Sequence, residues 1–272
     1  MENGGKVFLV GAGPGAPELL TIKAYQLLKR CDVLIYDALV NPDIVELSSG
    51  HCERVFVGLP RTAERLPQAE VERFMVQRAL AGKQVVRLKG GDPFIFGRGG
   101  EEAQACVAAG VEWEIVPGIS AGHAVPAYAG IPLTHRDHAS SVAFVTGHER
   151  RDKEDPVVWE KLATAVDTLV IFMSGQKLQH IVANLVRFGR DKDTPVALIE
   201  SGTTCKQKTV IGTLDTILTM IEPDAIKSPA LTVVGSVVTL SEQMAWFSCL
   251  LATNSSWFEF QESDYEVLSN IY

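Results

Sequence analysis

Two hydrophobic periods alternate along this chain. Short, apolar runs at Val7–Val10, Val33–Tyr36, Val55–Val57, Gln84–Leu88 and Trp113–Val116 have the length and composition of buried strands. Between the first two, Leu20, Ala24, Leu27, Leu28 and Cys31 recur at helical spacing, and residues 69–80 and 100–109 read as further helices. Such β–α alternation predicts a largely parallel sheet with helices on its faces. A turn at Val116-Pro117-Gly118 opens a second series, with strands at Val142–Thr146, Thr168–Phe172, Val196–Ile199, Thr209–Ile211 and Leu231–Val234. Two of these close in around residues 205–209, as an antiparallel hairpin would. The boundary between the series separates residues 1–116 from residues 117–241. Residues 242–272 change character. They are acidic and hold Trp246 and Trp257, two of the four tryptophans, and suit a docked extension, an oligomer contact or a partly ordered tail.

Composition narrows the function classes. At 272 residues, 46% of them hydrophobic, the chain is long enough for two cores. Its net charge of −8, without a basic run, argues against nucleic acid as the main partner. No apolar run is long enough to span a bilayer, and the start MENGGKVFLVGAG lacks the pattern of a signal peptide, so a cytoplasmic protein without a membrane partner is expected. Cys31, Cys52, Cys106, Cys205 and Cys249 are scattered and odd in number, and read as free thiols. His135, His138 and His148 cluster without the carboxylates or cysteines of a metal site, so no metal is expected.

Two glycine-rich connections carry the chemistry. Gly11-Ala12-Gly13-Pro14-Gly15-Ala16 follows a strand and precedes a helix, a loose match to the dinucleotide fingerprint, with Asp37 at the end of the next strand. Pro17-Glu18 speaks against a pyrophosphate, because it sets a carboxylate where a phosphate needs bare backbone N–H groups. A ligand without phosphate meets no such clash. The second loop, Lys89-Gly90-Gly91-Asp92-Pro93-Phe94-Ile95-Phe96-Gly97-Arg98-Gly99-Gly100, spends five glycines between a strand and a helix, at the edge where open α/β sheets bind ligands. Ordering so many glycines costs conformational entropy that a plain connection rarely carries.

The string GGDPFIFGRGGEE resembles the loop of uroporphyrinogen-III C-methyltransferases, within the wider tetrapyrrole methylase superfamily. VFLVGAGPG with ELLT, LIYDALV, VPGIS, GIPLTHRDHASSVAFVTGH and SPALTVVG match in order, so the resemblance covers residues 5–240. It implies an α/β fold of two αβα domains, with S-adenosylmethionine in the cleft between them, and a homodimer. It implies cofactor contacts from Pro14, Gly90, Gly91, Asp92 and Ile95, and from Ser120, Ala121, Met173, Gly202 and Ala230 across the cleft. The implied reaction methylates two pyrrole carbons of uroporphyrinogen III to give precorrin-2, a precursor of siroheme and cobalamin. Arg98, Glu101, Arg136 and Met173 are the implied substrate contacts. The arginines suit a substrate with eight carboxylates. Asp37 is the implied proton acceptor and, with Arg98, the catalytic pair. On the residues alone Asp37 is equally a turn or cap aspartate. The chain departs from the family pattern at Leu59-Pro60, where a lysine is usual, at Ala16, usually Asp, at Ser120, often Thr, and at Ser236, often Glu. Other members of the superfamily, acting on precorrins, diphthine or ribosomal RNA, remain alternatives, as does a non-catalytic binder. A nicotinamide oxidoreductase ranks last.

Overall fold

The computed structural model describes residues 4–58, 67–147, 158–221 and 226–248. Leu59, Pro60 and His148 lie outside the described residues. The first half builds a sheet from β1 (Lys6–Gly11), β2 (Val33–Tyr36), β3 (Glu53–Phe56), β4 (Gln84–Lys89) and β5 (Glu112–Val116), in the order β3-β2-β4-β1-β5. Every pair is parallel, so the carboxyl ends of all five strands share one edge.

Around the sheet lie α1 (Ile22–Arg30), α2 (Pro42–Glu46), α3 (Gln68–Leu80) and α4 (Gly99–Ala108). Because side chains alternate along a strand, each run feeds two cores. Val10, Leu34, Val86 and Leu88 join Ala24 and Leu28 of α1 and Ile44 of α2 on one face. Val7, Leu9, Val33, Ile35 and Val85 join Met75 and Ala79 of α3 and Ala103 and Cys106 of α4 on the other. Burial on both faces explains why β1, β2 and β4 read as nearly continuous apolar runs.

The second half folds on β6 (Val142–Thr146), β7 (Thr168–Phe172), β8 (Pro195–Glu200), β9 (Lys208–Thr213) and β10 (Ala230–Val234), in the order β6-β7-β10-β8-β9. β6 and β7 are parallel and the other pairs antiparallel, including the β8–β9 hairpin expected around residues 205–209. The strand pattern leaves three helices unplaced here: α5 (Ala121–Tyr128), α6 (Trp159–Ala165) and α7 (Leu178–Arg187). In α7 the signal is present, since Leu178, Ile181, Val182 and Leu185 follow helical spacing and all are buried. α5 hides its character behind Gly122 and an internal Pro126. α5 covers one face of this sheet, and α6 and α7 the other.

Two local expectations change, and one open alternative is decided for the start of the terminal segment. The segment after the first glycine loop opens as a three-residue 3₁₀ turn, Pro17–Leu19, and α1 starts later under a Thr21 cap, so Glu18 does not sit on an α-helix terminus. Cys31, Cys52 and Cys106 are free and buried, but Cys205 is disulfide-bonded, which corrects the expectation of five free thiols. Spacing along the chain carries no information about thiols that meet only on folding. The start of the terminal segment docks on α5: Trp246 Nε1 donates to the Ala127 carbonyl at 2.8 Å, and its ring lies 4.8 Å from that of Tyr128. Residues 249–272 lie outside the described residues. Among the described residues no helix is long and apolar enough to cross a membrane.

Candidate active site

The carboxyl edge of the first sheet brings three connections into backbone contact. Gly13 and Gly91, one from each glycine loop, exchange hydrogen bonds: Gly13 N donates to Gly91 O at 3.2 Å and Gly91 N to Gly13 O at 2.6 Å. The segment after β5 crosses both. A Cβ built on Gly118 would lie 2.3 Å from Gly91 O and 2.7 Å from Gly11 Cα, and one on Gly11 would lie 2.5 Å from Gly118 N. These are backbone atoms and cannot swing away. Asp92 ties the crossing, its carboxylate accepting from Phe94 N at 2.8 Å and Gly118 N at 3.0 Å. Gly91 itself has φ +68°, and a Cβ there would meet only Ala121 N, at 3.6 Å, so its outer face is open. Beside it Ser120 caps α5 by accepting from Gly122 N at 3.2 Å.

The second sheet supplies the facing wall. Met173 follows β7, Gly202 follows β8 and Ala230 begins β10; the strand register places all three at one end of that sheet. The loop after β8 touches the first glycine loop, where Ala16 N donates to Thr203 Oγ1 at 3.2 Å, while Asn41 Nδ2 holds Gly15 O at 2.8 Å. Among the described residues, the five non-glycine residues with positive φ are Phe96, Arg98, Met173, Ser201 and Thr203, all on loops of this cleft. Each such conformation costs on the order of 1–3 kcal/mol and persists only where the surroundings impose it. Phe94, Ile95, Phe96, Phe144 and Met173 leave apolar side chains exposed, and the Phe96 ring spans to Phe172 of β7 at 5.0 Å. The arrangement is an apolar cleft with a backbone floor, the form of a small-molecule site.

Charge is gathered at the ends of β2 and β4. Arg87 and Lys89 of β4 continue the face of Val85 toward α4, where the carboxylate of Glu102 lies wholly buried. Burial alone pushes the Glu102 carboxyl up. Arg87 and then Lys89 outweigh that effect and hold it below the usual carboxylate range. Lys89 is shifted down, by burial first and by the neighbouring Arg87 second. Asp37 takes the turn role and adds an ion pair. Its Oδ1 accepts from Leu39 N at 3.1 Å in a turn, and its Oδ2 lies 3.4 Å from Arg87.

Arg98 Nε donates to Glu101 Oε1 at 3.2 Å on the exposed surface, and the two share the sheet edge with Asp37 because β2 and β4 are neighbours. Pro14, Gly90, Gly91, Asp92 and Ile95 lie on the two stitched loops, with Ser120 and Ala121 where α5 begins. Arg136 is not brought to them. It sits in a turn closed by His135 and Ala139, and the next residues, Ser140 and Ser141, are tied to Asp167 at the start of β7. Ser236, after β10, holds His138 O at 2.9 Å. That end of the second sheet is opposite to Met173, a separation of roughly 20 Å at about 3.3 Å per residue. Glu102, Arg87 and Lys89 are functional-site neighbours that the motif reading passes over; the signal for them is the pair of cations ending an otherwise apolar strand.

A family profile, Tetrapyrrole (Corrin/Porphyrin) Methylases, matches residues 6–218. The chain is 47% identical over 243 residues to the uroporphyrinogen-III C-methyltransferase of Bacillus subtilis, covering 89% of this chain and 95% of that protein. It is 50% identical over 242 residues to the siroheme synthase of Acinetobacter baylyi, but covers only 53% of it, so the chain spans about half the length of such relatives. The crystal structure of uroporphyrin-III C-methyl transferase from Thermus thermophilus complexed with S-adenyl homocysteine superposes with a TM-score of 0.74 at 38% identity, over 87% of this chain and 100% of that one.

The three-way crossing gives a direct check. Gly118→Ala should lower unfolding free energy by about 1–3 kcal/mol, since its methyl must displace backbone. Gly100→Ala, whose Cβ meets nothing within 4 Å, should be neutral or slightly stabilising. Equal denaturation midpoints for the two variants would mean the segments do not cross this closely.

Proposed function

This chain belongs to the tetrapyrrole (corrin/porphyrin) methylase family, and from that premise we propose that it is an S-adenosylmethionine-dependent C-methyltransferase that converts uroporphyrinogen III to precorrin-2. The observation that carries the reading is the open backbone face of Gly91 opposite Met173, Gly202 and Ala230, with arginine and carboxylate groups on the same edge. The cofactor fits this cradle. Asp92 and Ser120 already spend their side chains on backbone amides, so they meet a ligand through backbone and small groups, which suits a neutral adenosine and an amino-acid moiety. Pro14, Gly90, Ile95 and Ala121 complete that contact set.

S-adenosylmethionine supplies a methyl on a sulfonium, which needs no activation. The protein's part is alignment and proton removal. The exposed Phe94, Phe96 and Phe144 give the macrocycle an apolar wall, while the planar fork of Arg98, oriented by Glu101, grips peripheral carboxylates. Asp37 accepts the proton that the macrocycle loses elsewhere once the ring carbon has been alkylated. This role does not depend on a lysine at position 59, since sulfonium displacement needs no proton donor. The product feeds siroheme or cobalamin formation. The same reading has residues 1–116 and 117–241 as two domains closing on the cofactor, in a cytoplasmic homodimer. A second copy also gives Arg136 a cleft to serve, since its own lies at the far end of the sheet.

Incubation of the protein with uroporphyrinogen III and S-adenosylmethionine should give a product heavier by two methyl groups in mass spectrometry. Asp37→Asn should slow the reaction by about 10²–10⁴-fold. Arg98→Lys should impair turnover while leaving S-adenosylhomocysteine affinity unchanged. An unmethylated substrate, or full activity in both variants, contradicts the assignment. If Arg136 acts across a dimer, mixing Arg136→Ala and Asp37→Asn proteins should restore activity that neither has alone; no recovery in a verified mixed dimer argues for action within one chain.

A further inference from the structure

The ionic cluster beneath the cleft has no part in the methyl-transfer reading, and its geometry is too specific for a filler. Arg87 and Lys89 are each 4% exposed and Glu102 is 0% exposed. The Glu102 carboxylate receives Arg87 Nε at 2.9 Å, Lys89 Nζ at 3.0 Å and Gln68 Nε2 at 3.2 Å, all on Oε1. Its other oxygen lies 2.9 Å from Lys89 Nζ, an ionic contact without an aligned hydrogen bond. A buried ionic cluster rarely stabilises a fold more than apolar side chains of the same volume would, so stability alone does not account for it. Its position does.

The guanidinium of Arg87 is held on every side but one. Nε is fixed by Glu102. One terminal nitrogen donates to the carbonyls of Leu88 at 3.2 Å and Ile35 at 3.5 Å, near the ends of β4 and β2. The other terminal nitrogen is left facing Asp37 Oδ2 at 3.4 Å. A planar group pinned at three points has one orientation, and that orientation reaches the cleft edge. Lys89 balances the charge of Glu102 from the same strand face, and Gln68 of α3 closes the far side.

We propose that Glu102 is a positioning residue for the reaction: by fixing Arg87 it sets the carboxylate of Asp37 at the edge of the cleft. Glu102 touches neither substrate nor cofactor and acts only through Arg87. The inference rests on the reading of Asp37 as proton acceptor.

The test is a set of steady-state measurements on Glu102→Gln, on the charge-balanced pair Glu102→Gln with Lys89→Met, and on both of these in an Asp37→Asn background. The balanced pair removes one charge of each sign, and so keeps the experiment readable if the single variant fails to fold. In the wild-type background each change should lower kcat on the order of tenfold, with KM for uroporphyrinogen III and S-adenosylhomocysteine affinity unchanged. In the Asp37→Asn background the same changes should have no further effect, because the residue they act through is already disabled. Equal proportional losses in both backgrounds, or a rise in KM with kcat kept, overturns the positioning role. A wild type that transfers no methyl group overturns the methyltransferase reading itself, and this inference with it.

Discussion

At Gly11, Gly91 and Gly118 three segments pass so closely that a single methyl group on either of the outer two would overlap the backbone of another. The rest of the site depends on this crossing. It fixes the second glycine loop against the first through the Gly13–Gly91 pair, so the loop that carries Arg98 and the strand edge that carries Asp37 keep a constant relation. It also leads the chain from β5 directly into α5, whose first residues face Gly91 from the side of the second sheet. Close packing of this kind excludes side chains from the floor and leaves backbone N–H and C=O groups as the recognition surface, the use to which glycine is suited.

Around that floor the molecule concentrates its unfavourable features. The positive-φ residues, the exposed phenylalanines and Met173, and the buried ionic cluster all lie at the same pair of sheet edges, while the two cores on each sheet are filled with ordinary aliphatic packing. Strain and desolvated charge persist at functional sites when the surrounding fold over-determines them. The rigid parallel sheet on one side and the mixed sheet on the other provide that constraint, and Thr203 and Phe96 are the contacts through which they brace each other.

Much of this was legible from residue order, and the exceptions have physical causes. Val33–Tyr36, Val142–Thr146 and Thr168–Phe172 form strands with the boundaries expected; the first and third are buried on both faces, which leaves little ambiguity, and the second is an edge strand. The glycine loops were visible as composition, but their mutual hydrogen bonds were not, since nothing in a loop's sequence names its partner. The Arg87–Glu102–Lys89 cluster escaped for a related reason: charged letters at a strand end look solvated until the helix that covers them is placed. Arg136 is the converse case. Its motif reads as part of the site, yet Asp167 and Ser236 hold its loop at the other end of the second sheet. The disulfide at Cys205 joins thiols that only folding brings together.

On the proposed function, the methyl donor lies in the cleft above Gly91. A crystal structure of this protein with S-adenosylhomocysteine tests it most directly. The ligand should rest on the open face of Gly91 beside Ala121, with Met173, Gly202 and Ala230 on its other side and the Gly13–Gly91 pair intact. A ligand seated elsewhere, or one that binds only after that pair has separated, would contradict the account.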